Sequence, residues 1–260
     1  MNENFMKKIY FLPAILMLLT SCASSYNVEG TSSISALDGS KLYLKAIKNN
    51  EFKNIDSCDV VHGEFHFTGL LDTVRMASLY MDDESIMPVV LEKGDITIKI
   101  DNVQQTVGGT PLNDSLYTFI DKHNRLTNQM NELSHKQSQM LLEGIDEELI
   151  NRQLSAEAAK IAAEEDNLVM KFIEDNFDNV LGPGVFMMIT SQYRYPILTP
   201  QIEDIMSKAT QKFKDDPYVQ DYYQTAQENE KRMNGLEDPS VMEEPTAPTA
   251  PNPLTNIPQK

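Results

Sequence analysis

His62, Glu64 and His66 stand at alternate positions, a spacing that on a strand puts three ligand-type side chains on one face. Glu64 and His66 would be ~7 Å apart and His62 and His66 ~13 Å apart at the strand rise, so the outer two cannot share one ion. Tetrahedral zinc needs more ligands than this strand supplies. We therefore expect a solvated face opposite Phe65 and Phe67, and assign no metal site. His123 falls on the apolar seam of a helix, where a satisfied interface histidine is expected rather than a general base. His135 sits in a polar stretch. No nucleophile elbow, zincin helix, phosphate loop or dinucleotide fingerprint occurs. With 39 acidic residues a close carboxylate pair arises by chance and supports no glycosidase reading. Asp72-Thr73-Val74 and Asp114-Ser115-Leu116 resemble a periplasmic O-glycosylation sequon, which makes Thr73 and Ser115 candidate modification sites. No catalytic residue and no cofactor are assigned, and the expectation is a protein that is not an enzyme.

Covalent chemistry points instead to Cys22. Lys7 and Lys8 precede an apolar run from Ile9 to Leu19 that ends in Leu19-Thr20-Ser21-Cys22, the layout of an export signal. The run is about half of the ~20 residues a helix needs to cross a bilayer, so cleavage between Ser21 and Cys22 is expected rather than a lasting span. Small residues before a cysteine resemble the lipobox, whose cysteine is diacylated and becomes residue one. Two or three acyl chains give stable membrane anchoring. Ala23-Ser24-Ser25 lacks a retention aspartate and an acidic export cluster, so the expected location is the outer membrane, facing the periplasm. Met6-Lys7-Lys8 is a more usual signal start than Met1, so translation from Met6 is a second expectation.

Charge and cysteine content narrow the partners. The net charge is −17, and loss of Lys7, Lys8 and Glu3 with the leader leaves 20 basic and 38 acidic residues, net −18. Such a surface excludes nucleic acid as a partner and disfavours docking on anionic headgroups. With Cys22 lipidated only Cys58 remains, so there is no intramolecular disulfide and no Cys-x-x-Cys pair. Its position in an apparent strand, 55–61, predicts a buried core cysteine.

The elements that must carry these residues change character along the chain. From Tyr26 to about Thr106 the period is two, as in Leu42, Leu44, Ala46 and in Ile96, Ile98, Ile100, which marks half-buried antiparallel strands. Turns fall at Asp38-Gly39, Asn49-Asn50, His62-Gly63, Asp82-Asp83 and Lys93-Gly94. About seven short strands suggest a small sandwich or open barrel. Thr110-Pro111 then opens a long helix whose seam runs Leu116, Phe119, His123, Leu126, Met130, Leu133, Gln137, Met140 and stops at Glu143-Gly144. Asp146 caps a second helix with Ile150, Leu154, Ala158, Ile161, Leu168 and Phe172 on one face, and the pattern breaks between Asn176 and Gly184. The two should form an antiparallel hairpin. Thr199-Pro200 and Asp216-Pro217 start two shorter helices. Phe186, Met187 and Met188 read as core. From Asn234 six of 13 prolines appear, predicting an extended tail.

In order, Leu42-Tyr43-Leu44, Ile55-Asp56-Ser57, 63–69 (GEFHFTG), Leu91-Glu92-Lys93-Gly94 and Gly109-Thr110-Pro111-Leu112-Asn113 resemble the domain of unknown function 4369. The resemblance covers about residues 26 to 120 and, more weakly, the helices to about 232. It implies a periplasmic lipoprotein module, joined in longer members through helices to a thioredoxin-like domain with a Cys-x-x-Cys. Here the Pro/Thr-rich stretch stands where that domain would begin, so disulfide exchange is not carried over. The expected organisation is α+β: leader 1–21, sandwich or open barrel 22–107, helical domain 108–233 and tail 234–260. The expected role is binding or scaffolding by an anchored lipoprotein, with a protein or small-molecule ligand. The alternative is an accessory to a separate thioredoxin-like oxidoreductase.

Overall fold

A computed structural model describes residues 24–48 and 51–235. The expected leader, the cut at Ser21 and Cys22, the turn at Asn49-Asn50 and the tail beyond residue 235 lie outside them. Eight strands come first: β1 (Ser24–Ser32), β2 (Lys41–Lys48), β3 (Glu51–Asp59), β4 (Glu64–Leu71), β5 (Arg75–Met81), β6 (Glu84–Leu91), β7 (Gly94–Ile100) and β8 (Gln105–Gly108). They form two sheets, ordered β4-β1-β7-β8 and β3-β2-β5-β6. Val28, Phe67, Ile96 and Ile98 of the first meet Leu42, Leu44, Leu79 and Val89 of the second in one core, so the unit is a sandwich and not a closed barrel.

The wholly antiparallel expectation is corrected. β1 pairs antiparallel with β4 but parallel with β7, with Val28 opposite Ile96. A tight turn dictates direction only for strands adjacent in sequence. β1 and β7 are separated by the whole second sheet, so the returning strand was free to lie either way. Cys58 is half-buried at the edge of the core rather than inside it. His62 lies in a turn with φ 54° and not on β4, so only Glu64 and His66 share a strand face. The next residue must be glycine: at Gly63, φ 75°, a Cβ would stand 2.5 Å from the Ser32 carbonyl oxygen.

The helices are α1 (Pro111–Leu142), α2 (Glu147–Asp175), α3 (Leu181–Thr190), α4 (Pro200–Lys208), α5 (Gln211–Lys214) and α6 (Pro217–Met233). α1 and α2 pair as the expected antiparallel hairpin, with His123 facing Glu165 and Lys136 facing Glu157. Gly144 closes α1 at φ 75°, and the Asp146 carboxylate accepts from the N–H groups of Glu148 and Leu149. Thr199 and Asp216 cap α4 and α6 in the same way. On α1 the seam holds at Leu116, Phe119 and His123, but Gln137 is exposed. On α2 the buried positions late in the helix are Val169 and Ile173. Leu168 and Phe172 are only half-buried, because α3 and α4 pack there and turn the buried face. Gly182-Pro183-Gly184 does not break the chain: it forms the first turn of α3, where proline's missing N–H has no partner to lose.

Candidate functional site

The two sheets treat their outer faces differently, and that creates the site. Asn27, Glu29, His66, Thr68, Asp95, Thr97 and Lys99 line the outer face of the first sheet, all exposed except the half-exposed Asn27. His66 donates to Asn27 Oδ1 at 2.6 Å, and Asn27 Nδ2 donates to Asp95 at 3.0 Å. The outer face of the second sheet carries Lys45, Ile47, Phe52, Met76, Ser78, Tyr80, Pro88 and Val90. Val90 is fully buried in the helical core, and Met76 packs against it. The Tyr117 hydroxyl donates to the Pro88 carbonyl at 2.9 Å, and burial raises that phenol well above its ordinary pKa. At Gly184 a Cβ would sit 2.7 Å from Met76 Cγ, so α3 approaches β5 backbone-first.

A polar clamp fixes this contact. Glu92, after β6, accepts from the N–H groups of Leu112 at 2.8 Å and Asn113 at 3.1 Å. A carboxylate at a helix N-terminus satisfies free donors and opposes the dipole. Asn113, fully buried, accepts from the Val90 N–H and donates to the Val90 carbonyl and to Thr110 Oγ1. Thr110 is at the cap position, yet its hydroxyl serves Asn113 and the capping of the helix passes to Glu92.

The helices cover only part of the second sheet. Where they stop, a cleft of about 270 Å³ opens between β2, β3 and β5 on one side and α3 with the start of α6 on the other. Ser78 lies on its floor between its cross-strand neighbours Lys45 and Pro88. Ile47, Phe52 and Met76 continue the floor, and Met187, Met188 and Tyr218 form the facing wall. Three methionines give the lining soft, adaptable side chains. Lys45 also lines the cleft, its side chain 17% exposed, with Nζ 4.3 Å from the Tyr80 ring centroid and 3.8 Å from the fully exposed Asp83. Arg75, at the rim, pairs with exposed Asp72. Asp216 accepts from Tyr218 and Val219 N–H groups, while burial pushes its carboxyl above the ordinary value.

The sequence candidates fall elsewhere. Thr73 is exposed in the turn just before Arg75, at the edge of the cleft, whereas Ser115 is half-buried in the first turns of α1. Burial pushes the Cys58 thiol up to about 11, which leaves little thiolate near neutrality. His123 Nε2 is 2.9 Å from Glu165, its Nδ1 is buried without a partner, and burial lowers its pKa against the pull of Glu165. Among the described residues no three His, Cys, Asp or Glu side chains gather to hold a metal ion, and no helix is long and apolar enough to cross a membrane. Sequence reading missed the cleft. Its available signal was Ile86-Met87-Pro88-Val89-Val90-Leu91, an unbroken apolar run of the kind that marks a strand covered on both faces.

Comparison with curated proteins and with solved structures gives no match. Residues 26–116, the sandwich together with the first turns of α1, match the model of the family described as Domain of unknown function (DUF4369).

Proposed function

We propose that the chain is a periplasmic lipoprotein, anchored to the outer membrane through lipid on Cys22, with a non-catalytic binding role centred on the cleft. The observation that carries the binding role is the cleft itself: an open apolar volume on a sheet face that the helices cover only in part. Few-per-protein concave apolar sites with a small number of polar groups are where small molecules bind. The anchor rests on Leu19-Thr20-Ser21-Cys22 and the run before it. Ser24 pairs with Leu71, three residues before the cleft-lining Val74, so the start of β1 and the cleft share one end of the sandwich. A tether at Cys22 would hold that end toward the bilayer.

Two measurements test the reading. Palmitate labelling in cells should mark the wild-type chain and be lost in Cys22→Ala, with release from the membrane fraction; an unlabelled wild type sinks the anchor. Nile red, a neutral apolar dye, should brighten on the Cys22→Ala chain and fail to do so once Ser78→Trp fills the floor. Equal brightening in both would place binding outside the cleft.

A further inference from the structure

We propose that the loop Tyr193-Arg194-Tyr195 is a docking surface for the chain's own proline-bearing segment, residues 239–248, with prolines against the two tyrosine rings and Glu243 or Glu244 on the Arg194 guanidinium. Composition is the first argument. Tyr193 and Tyr195 are 36% and 42% exposed, the most exposed phenylalanine or tyrosine side chains among the described residues. Arg194 between them is exposed and pairs with no acid among the described residues. Tyrosine and arginine concentrate binding energy at interfaces, and tyrosine buries a large flat area while freezing few torsions. Aromatic-lined surfaces take proline-rich segments, because an extended helix favoured in advance loses little freedom on docking.

Position selects the occupant. The Pro196 carbonyl accepts from Asn229 Nδ2 at 2.9 Å, and the Tyr222 hydroxyl accepts from the Ile197 N–H and donates to its carbonyl, both at 3.2 Å. Burial first, and then the Tyr218 and Tyr193 phenols, push the Tyr222 phenol up to about 12, so Tyr193 also lies beside α6. Asn229 stands about one turn, ~6 Å, before the end of α6 at Met233. The chain therefore leaves the helix next to the loop. A short tether gives an effective concentration on the order of millimolar, at which even a weak contact is populated. A second copy offers the same loop without that tether. Charge is the third argument. Residues 236–248 carry Glu237, Asp238, Glu243 and Glu244 and no base, so a chain of net charge −17 repels them from most of its surface. At the loop they meet Arg194, with Lys231 and Arg232 in the last turn of α6, against Glu228 and Glu230.

The test uses the full Cys22→Ala chain with the photo-crosslinker p-benzoylphenylalanine replacing Val241, and maps the products by mass spectrometry. Crosslinks to residues 192–197 of the same chain are expected, with a yield independent of protein concentration. Tyr195→Ser should lower that yield about fivefold, the value of one well-placed interface tyrosine. Arg194→Glu should lower it about threefold, as for an exposed ion pair, and Arg194→Lys should largely keep it. Glu243→Lys with Glu244→Lys, added to the Arg194→Glu chain, should restore the yield; these substitutions lie outside the folded elements, so the recovery reads pairing and not folding. Products confined to other elements, or joining two chains, overturn the proposal. So does a yield that none of these substitutions changes, or the lack of any crosslink to the loop.

Discussion

The outer face of the first sheet carries Asn27, Glu29, Thr97 and Lys99 and meets water, whereas that of the second carries Phe52, Met76, Tyr80 and Val90 and meets helices or an open cleft. Both sheets contribute inner faces to the same core, so the difference lies wholly on the outside. It shows in the chain as pattern: β7 alternates buried and exposed, while β6 is buried at nearly every position from Ser85 on. A strand covered on both sides has no solvent side to keep polar. The second sheet is thus the middle layer of three, and where the third layer ends the uncovered apolar floor is available to a ligand.

The largest effect is expected at Val90, buried between the second sheet and the helices. Val90→Asp puts a charge between sheet and helices and should cost at least about 4 kcal/mol, or prevent folding, in urea denaturation. A loss below about 1 kcal/mol would mean that the helices do not cover this face. Next in size is the clamp. Asn113→Ala leaves the Val90 N–H without its acceptor and removes three hydrogen bonds, so a loss of about 2–3 kcal/mol is expected by the same assay. Hydrogen exchange should show the start of α1 losing protection before the sandwich does.

A smaller effect follows from the histidine in the helical layer. Because burial lowers the pKa of His123 below its ordinary 6.5, the unfolded chain takes up a proton that the folded chain refuses. Stability should therefore be fully present above that pH and decline as pH falls through 6.5 toward the folded value. His123→Leu should flatten this dependence between pH 7 and 5; an unchanged slope would assign it to other groups. Smallest is the contrast itself: Thr97→Ala, on the solvated face, should change stability by no more than about 0.5 kcal/mol.

Much of this architecture is legible in the residues. Alternation at Leu42, Leu44, Ala46 and at Ile96, Ile98, Ile100 identifies strands and their inner faces, since a period of two leaves a side chain one choice of side. Asp146, Thr199 and Asp216 mark helix starts because a short polar side chain satisfies N–H groups within its own turn. Reading fails where partners are distant. Gly182-Pro183-Gly184 suggests a break on local propensity, yet buried contacts of Leu181, Val185 and Phe186 stabilise a helix through it. The helical period also let Leu168 and Phe172 stand for the buried face, and only the packing of α3 and α4 selects Val169 and Ile173.

By itself the sequence determined the α+β class, the inner faces of the strands, the hairpin and most helix starts, because each follows from contacts within a few residues. The tertiary structure alone decided the parallel pairing of β1 with β7, the capping of α1 by Glu92, and the cleft that Lys45 and Met187 line from opposite sides. Those features join residues from some 20 to 140 positions apart. No local preference encodes such distances; they are set when whole layers bury their faces against one another.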